Sequence, residues 1–533
     1  MSSRRCLLLT SLLAIALHFW GISGSILPAQ DGLKFIATAK AFQHDLWIDV
    51  IRGSDRHPLY PGLIALAEPP IRGLIGPGPE AWRIAAQVVS AAAYLGILVV
   101  IHGLTRTLFD RAVANLAVFL FVLLPIPAEV GRDTLADMLG LLCFSGSLSL
   151  AARALKTGST RLWLVSGLVV GVGYLARPDA ALAVLSPMML LSATIVRRCI
   201  ERARSESIDL QREFGRLARY GGAACLIIGT YALIKGEVTE KLALRSTVAL
   251  GPSSRTTLVR SAPHPLPAWI DREGLDFSAK EETGRVRFAG KPIRASGRLI
   301  HEWIEGLGWI FAPFAFWGFV SSGRREGSAA GRRLILLQML LMAAAVIPAA
   351  SRLGYLSGRH ALGLVVLSMP FAAAAMHGWA SGVPARRGFS TRTGRALAFA
   401  GLSGLFALGV TVQLKGMHPS RAGHRAAGEW LLAHANAGDA VLDTRGWAAF
   451  VRGGPSYDYW HVRQALTDAR LRYVVVESEE LEASTPRAAT LRHILERSGK
   501  RMVEFSDVDE GDSAGSVLVY RFAAPIRSEE GDR

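Results

Sequence analysis

Residues 81–103 read AWRIAAQVVSAAAYLGILVVIHG. A helix crosses the hydrocarbon core of a bilayer with roughly 17–25 mostly apolar residues, and this run has that length and character. Ten more runs pass the same test: 7–27, 112–128, 134–152, 161–177, 180–196, 217–235, 301–320, 333–350, 359–379 and 395–414. Lipid offers no hydrogen bonds, so each run must satisfy its own backbone as a helix. The expected fold is a mainly α polytopic membrane protein with about eleven transmembrane helices. The runs 161–177 and 180–196 are short and meet at the turn Arg177-Pro178-Asp179.

Composition agrees. Half of the residues are apolar. Lys and Arg number 60 against 43 Asp and Glu, a net charge of +17. Such an excess suits nucleic acid or an anionic membrane surface. Here much of it sits in short loops between apolar runs, so the membrane explains it and no nucleic-acid partner is expected. Cys6, Cys143, Cys199 and Cys225 lie in or beside apolar stretches, without metal-ligand spacing or a disulfide framework.

Cytoplasmic loops are enriched in Lys and Arg. Arg4 and Arg5, Arg106 and Arg111, Arg153 to Arg161, the Arg-rich 197–216, Arg324 to Arg333, and Arg386 to Arg392 fall on one side if the N-terminus is cytoplasmic. The C-terminus then lies outside, in a multi-pass protein of the plasma or inner membrane. The loop 236–300 is basic yet placed outside, which a loop beyond about 60 residues tolerates. The first run also has features of a cleavable signal peptide. Its length, with His18 and Trp20 inside it, favours a retained anchor. Residues 57–75, HPLYPGLIALAEPPIRGLI, are apolar but contain Pro58, Pro61, Pro69 and Pro70. They are expected to lie at the interface or re-enter rather than span.

The expected division is a transmembrane domain over 1–414, with outer loops 28–80 and 236–300, and an extracytoplasmic α/β domain over 415–533. In the latter, 425–435 and 489–498 have helical patterning. Residues 440–443, 473–477 and 516–522 read as strands. The charged tail after Pro525 should fray.

The informative polar residues sit at the ends of spans, because ionisable groups at membrane depth are costly and tend to be functional. Asp31 follows the first run in DGLKFIATA; an Asp there also caps a helix. The stretch EVGRDTLADML at 129–139 crowds Glu129, Arg132, Asp133 and Asp137; acids also favour helix N-termini for their dipole. Asp133 and Asp137 are four residues apart and share a helix face. Arg177, Arg352, Arg359 and His360 form a cationic set. An Arg fork binds two phosphate oxygens, though it also snorkels to headgroups. Asp507 and Asp509 match D-x-D but read as solvated surface. The histidines lack H-x-x-x-H spacing, and there is no P-loop, so neither a metal site nor an ATP-driven transporter is assigned.

In order along the chain, these pieces resemble the GT-C superfamily of membrane glycosyltransferases. The likeness is closest to protein O-mannosyltransferases and the aminoarabinose and galacturonic acid transferases of lipid A. They are Asp31 opening the first outer loop, HPLYPGL at 57–63, EVGRDTLAD in the second outer loop, GLVVGVGYLARPDAAL at 167–182, and SGRHALGLVVLSMPF near the last spans. The likeness covers about residues 1–380.

The resemblance implies inverting transfer of a sugar from a polyprenyl-phosphate donor to a hydroxyl on a glycan, lipid or protein, at the extracytoplasmic face. It implies no cofactor beyond that lipid-linked donor, and it leaves metal dependence open. Asp31 would be the catalytic base. Arg177, Arg359 and His360, with Arg132 behind them, would bind the donor phosphate. Asp133, Asp137 or Glu129 would orient substrate hydroxyls. Two departures stand out: Asp31-Gly32 where the mannosyltransferases carry Asp-Glu, and His360 in place of a Tyr. A non-catalytic transporter or flippase of lipid-linked sugars is the competing reading. It would more often show paired repeats and charges at mid-span.

Overall fold

The computed structural model describes residues 3–202, 210–236, 290–322, 327–386, 391–506 and 515–522. Most of the expected loop 236–300, the Asp507 and Asp509 pair and the tail after Pro525 lie outside the described residues.

Among the described residues, seven helices are long and apolar enough to cross a membrane, or eight if one bent pair counts as a single span. In chain order they begin with α1 (Ser3–Ser23). Between it and the next crossing lie α2 (Gln30–His44), α3 (Trp47–Gly53) and α4 (Leu59–Ile75). Then come α5 (Pro79–Leu108), α6 (Arg111–Val122), α7 (Pro125–Arg132), α8 (Asp137–Thr157) and α9 (Thr160–Ala176). A 3-10 turn over Pro178–Val184 leads into α10 (Leu185–Arg202), followed by α11 (Leu210–Lys235). After the undescribed segment come α12 (Pro292–Gly306), α13 (Ala312–Ser321), α14 (Ala329–Leu353), α15 (Gly358–Arg386) and α16 (Thr391–Gln413).

Three of the runs depart from a single long span for local causes. The run 112–128 is α6 plus α7, bent by 66° where Pro125 and Pro127 follow Val122. Proline removes a helical N–H and crowds the preceding turn, which forces such a break. The run 161–177 is the 17-residue α9. The run 301–320 is split between α12 and α13, with Trp309 at a positive φ in the break. The Pro-rich segment 57–75 forms a helix that is not among the candidate spans. Pro58 precedes α4, Pro61 falls in its first turn, where the N–H has no helical partner, and Pro69 and Pro70 lie inside it.

The glycines of α9 set its neighbours. A Cβ on Gly167 would meet the Tyr220 carbonyl oxygen of α11 at 2.1 Å, and one on Gly173 would meet the Cys143 side chain of α8 at 2.6 Å. Small residues let helix backbones approach where lipid supplies no hydrophobic drive between helices. Gly167 and Gly171 thus pack α9 against α11, while Gly173 packs it against α8 and brings Arg177 close to that helix.

Beyond α16 the chain builds a C-terminal α/β unit. Its elements are α17 (Ala422–His434), β1 (Ala440–Asp443), α18 (Trp447–Arg452), β2 (Ser456–Tyr457), α19 (Val462–Thr467), β3 (Leu471–Glu477), α20 (Ser478–Glu482), α21 (Pro486–Ser498), β4 (Gly499–Ser506) and β5 (Ser516–Phe522). The sheet order is β2-β1-β3-β5-β4, parallel from β2 to β3 and antiparallel beyond. The run YVVV lies on the central strand, covered on both faces. Val474 and Val476 pack with Leu491 and Ile494, while Tyr473 and Val475 face Ala427 and Leu431. A strand buried on both sides reads as a continuous apolar run. The strands expected at 440–443, 473–477 and 516–522 are present. The edge strand β4, GKRMVEFS, went unexpected because its mixed charges break the alternation.

Candidate active site

A cavity of about 2490 Å³ opens between α2, α3, α7, α12, the start of α15 and the C-terminal unit. Asp31 stands in its wall on the first turn of α2, with its side chain 45% exposed. Arg56 approaches one carboxylate oxygen at 3.5 Å. Arg359, from the first turn of α15, approaches the other at 3.4 Å. Residues 31, 56 and 359 thus converge on one point from three elements.

Gly32 explains the first departure from the mannosyltransferase pattern. A Cβ there would lie 1.8 Å from Thr134 Oγ1 and 2.9 Å from its carbonyl oxygen. The loop after α7 occupies the space that a Glu would need, and in doing so sets the height of α2 and of Asp31.

The three acids of 129–139 part company. Glu129 is exposed and lines the large cavity. Asp133 also lines it, but its oxygens are engaged. Oδ1 accepts from the Ala29 and Thr134 amides at 3.1 and 2.7 Å, and Oδ2 lies 3.0 Å from His418 Nε2. Burial alone would push the Asp133 carboxyl up. The bond and charge of His418, with Arg421 beyond, outweigh that and hold it below the ordinary carboxylate range. Asp137 is buried and ion-paired with Arg177.

The cations divide as well. Arg177 also reaches Asp179 at 3.0 Å and packs across Gly140. With Arg359 and His360 it lines a void of about 40 Å³ beside the large cavity, so Arg359 borders both spaces. His360 Nδ1 accepts from the Ser357 amide at 3.2 Å. Tyr355, five residues earlier, is an aromatic of this stretch that lines the large cavity. Arg132 is turned away. It is 3% exposed and donates to Gln413 O at 2.7 Å and to Gln413 Oε1 at 2.9 Å, holding the end of α16 against α7. Those bonds face the helix packing, and Arg132 is not among the residues that line the cavity. Arg352 is exposed on the last turn of α14 and does not line the cavity.

Two features were not read from the sequence. Arg56 sits next to the quoted HPLYPGL, and that adjacency was its only signal. His301, Glu302 and Glu305 on α12 bring three potential ligand atoms within 4.8 Å of one another, a group able to hold a cation. Its partners follow His301 at one and four residues, a spacing that a search for paired histidines misses. In the absence of an ion, Glu302 pairs with Arg298 and Glu305 lies 3.5 Å from His301.

Known proteins share this architecture. Residues 79–204 match the sequence model of the family described as dolichyl-phosphate-mannose-protein mannosyltransferase. The apo structure of ArnT from Cupriavidus metallidurans superposes with a TM-score of 0.57 at 13% identity, over 98% of each chain. The same ArnT bound to undecaprenyl phosphate gives 0.56 at 12% identity, over 99% of each chain. The chain has the fold of the GT-C glycosyltransferases. The apo oligosaccharyltransferase of Archaeoglobus fulgidus shares this GT-C fold with a TM-score of 0.56 at 10% identity, over 97% of this chain and 76% of that one. Among curated protein sequences none matches. The GT-C likeness to ArnT runs the whole length of the chain, so it includes the C-terminal α/β unit.

Proposed function

We propose that this protein is an inverting glycosyltransferase that moves a sugar from a polyprenyl-phosphate donor to a hydroxyl acceptor at the extracytoplasmic face of the membrane. The observation that carries this reading is Asp31 at the cavity wall between Arg56 and Arg359. A carboxylate that can take a proton stands within 3.5 Å of two guanidinium groups, of which Arg359 lines the cavity. In the proposed step the acceptor oxygen attacks the anomeric carbon while Asp31 accepts its proton. The bond from that carbon to the phosphate oxygen breaks, and the electron pair leaves with the lipid phosphate. Arg359 and Arg56 stabilise the charge that develops there. Base catalysis of this kind is typically worth ~10²–10⁴-fold. Arg177 sits one layer behind, pairing with Asp137 beside Arg359. The distribution of basic loops supports an N-terminus in the cytoplasm and a C-terminal unit outside. ArnT carries undecaprenyl phosphate, and the archaeal oligosaccharyltransferase has been seen with a dolichol-phosphate. A lipid of that class is the proposed donor carrier here.

The test is transfer by purified protein in nanodiscs, supplied with defined polyprenyl-phosphate sugars and hydroxyl acceptors. Asp31→Asn should keep expression, membrane insertion and undecaprenyl phosphate binding while losing at least ~10²-fold in transfer. Undiminished transfer by that variant removes Asp31 as the base.

A further inference from the structure

The segment Leu27–Gln30 leads from α1 into α2, and its backbone is held from outside. Arg421 Nη1 donates to Leu27 O at 3.3 Å and to Pro28 O at 2.8 Å. Trp447 Nε1 donates to Pro28 O at 2.9 Å. The Ala29 amide donates to Asp133 Oδ1 at 3.1 Å and to Thr134 Oγ1 at 2.9 Å. His418 in turn holds Asp133 Oδ2 at 3.0 Å. No side chain of its own caps the start of α2. Its first turn, which bears Asp31, is fixed through these neighbours.

His418, Arg421 and Trp447 all belong to the root of the C-terminal unit. His418 holds a left-handed backbone, φ 55°, which costs a non-glycine residue free energy and persists where its surroundings over-determine it. The Arg421 guanidinium lies 4.6 Å from the centre of the Trp447 ring. Trp447 is itself braced edge-on by His424, whose Nε2 lies 2.9 Å from Glu477 Oε1. The chain reaches this root from α16, whose end Arg132 anchors. A buried backbone carbonyl with a charged donor makes one of the stronger hydrogen bonds available.

We propose that His418, Arg421 and Trp447 are positioning residues for Asp31: the root of the C-terminal unit clamps residues 27–29 and so sets where the base stands against Arg56 and Arg359. The proposal rests on the transferase reading above. A displacement of about 1 Å costs on the order of 10²-fold in a positioned reaction. The C-terminal unit therefore acts on the rate of the chemical step as well as on the cavity's shape.

The experiment uses the full chain in nanodiscs with Trp447→Phe and Arg421→Lys. The first keeps an aromatic ring under Arg421 and removes the indole donor. The second keeps the charge and narrows the fork to one ammonium. Hydrogen exchange of a peptide covering 27–35 should rise about tenfold in Trp447→Phe, while strands β3 and β5 keep their protection. In the transfer assay kcat should fall about tenfold in that variant with the donor KM unchanged, and Arg421→Ala should lose on the order of 10²-fold. Arg421→Lys should recover part of the Arg421→Ala loss. Unchanged exchange at 27–35 overturns the clamp whatever the activity, and so does equal loss of protection in β3. Wild-type protein that transfers no sugar, with the exchange response intact, places the failure in the transferase reading and leaves the clamp standing.

Discussion

Gly32→Ala is the sharpest perturbation that the site offers. The added methyl would sit 1.8 Å from Thr134 Oγ1, 2.7 Å from its Cβ and 2.9 Å from its carbonyl oxygen. Ordinary carbon contacts begin at roughly 3.5 Å, so the two elements must part by roughly 1–1.5 Å. Rotating Thr134 is no escape. Its Oγ1 accepts from the Ala29 amide, and its Cβ and carbonyl would still be too close. The displacement falls on the first turn of α2, one residue from Asp31. A shift of about 1 Å in a positioned group costs on the order of 10²-fold in rate, while overpacking costs about 1–3 kcal/mol of stability. The variant should therefore insert and bind undecaprenyl phosphate, yet turn over about a hundredfold more slowly in the nanodisc assay. A second change, Thr134→Gly, removes two of the three clashes and should restore part of the rate. Wild-type kcat in Gly32→Ala would refute the claim that this contact sets the position of the base.

Asp137→Asn should lower thermal stability in detergent, by about 1–3 kcal/mol, because it leaves the half-buried Arg177 with Asp179 as its remaining acidic partner. Gly167→Val should separate α9 from α11 and lower the unfolding midpoint, since the new side chain meets a backbone oxygen that cannot rotate away. In the C-terminal unit, burial favours a neutral Glu477, but His424 and Arg445 overcome it and lower its pKa to about 2. A depressed carboxylate stabilises above its unfolded pKa of about 4.3 and loses that contribution as pH falls toward the folded value. Resistance of this unit to limited proteolysis should therefore decline between about pH 4.5 and 2, and Glu477→Gln should flatten that decline.

What could be read along the chain depended on how far each signal reaches. The apolar runs, the turn at Arg177-Pro178-Asp179 and the central strand YVVV carry local patterns, and all appear as elements or boundaries. The span count differs where proline and length decide, at Pro125 and in the 17-residue α9. The site was only half legible. Asp31 and Arg359 were singled out separately, but 328 positions separate them and no local pattern states their pairing. Arg132 ties down a neighbouring helix, and an Arg at the mouth of a span has the same sequence signature whether it does that or meets a phosphate. Gly32 looked like the loss of an acid; only the approach of Thr134 reveals it as a requirement for space.

The second-loop acid can be argued to one residue. Asp133 has both oxygens engaged in holding Ala29, Thr134 and His418. Asp137 faces Arg177 in the small void and does not line the large cavity. Glu129 alone of the three combines exposure with a place in the large cavity's wall. If one of these acids orients a substrate hydroxyl, it is Glu129, and the variants should behave differently. Glu129→Gln should weaken substrate binding, raising KM by roughly tenfold for one lost charged hydrogen bond, with folding intact. Asp133→Asn should instead loosen the 27–35 segment, seen as faster hydrogen exchange, and lower kcat through Asp31. An unchanged KM in Glu129→Gln, together with a raised KM and intact protection in Asp133→Asn, would reverse the assignment.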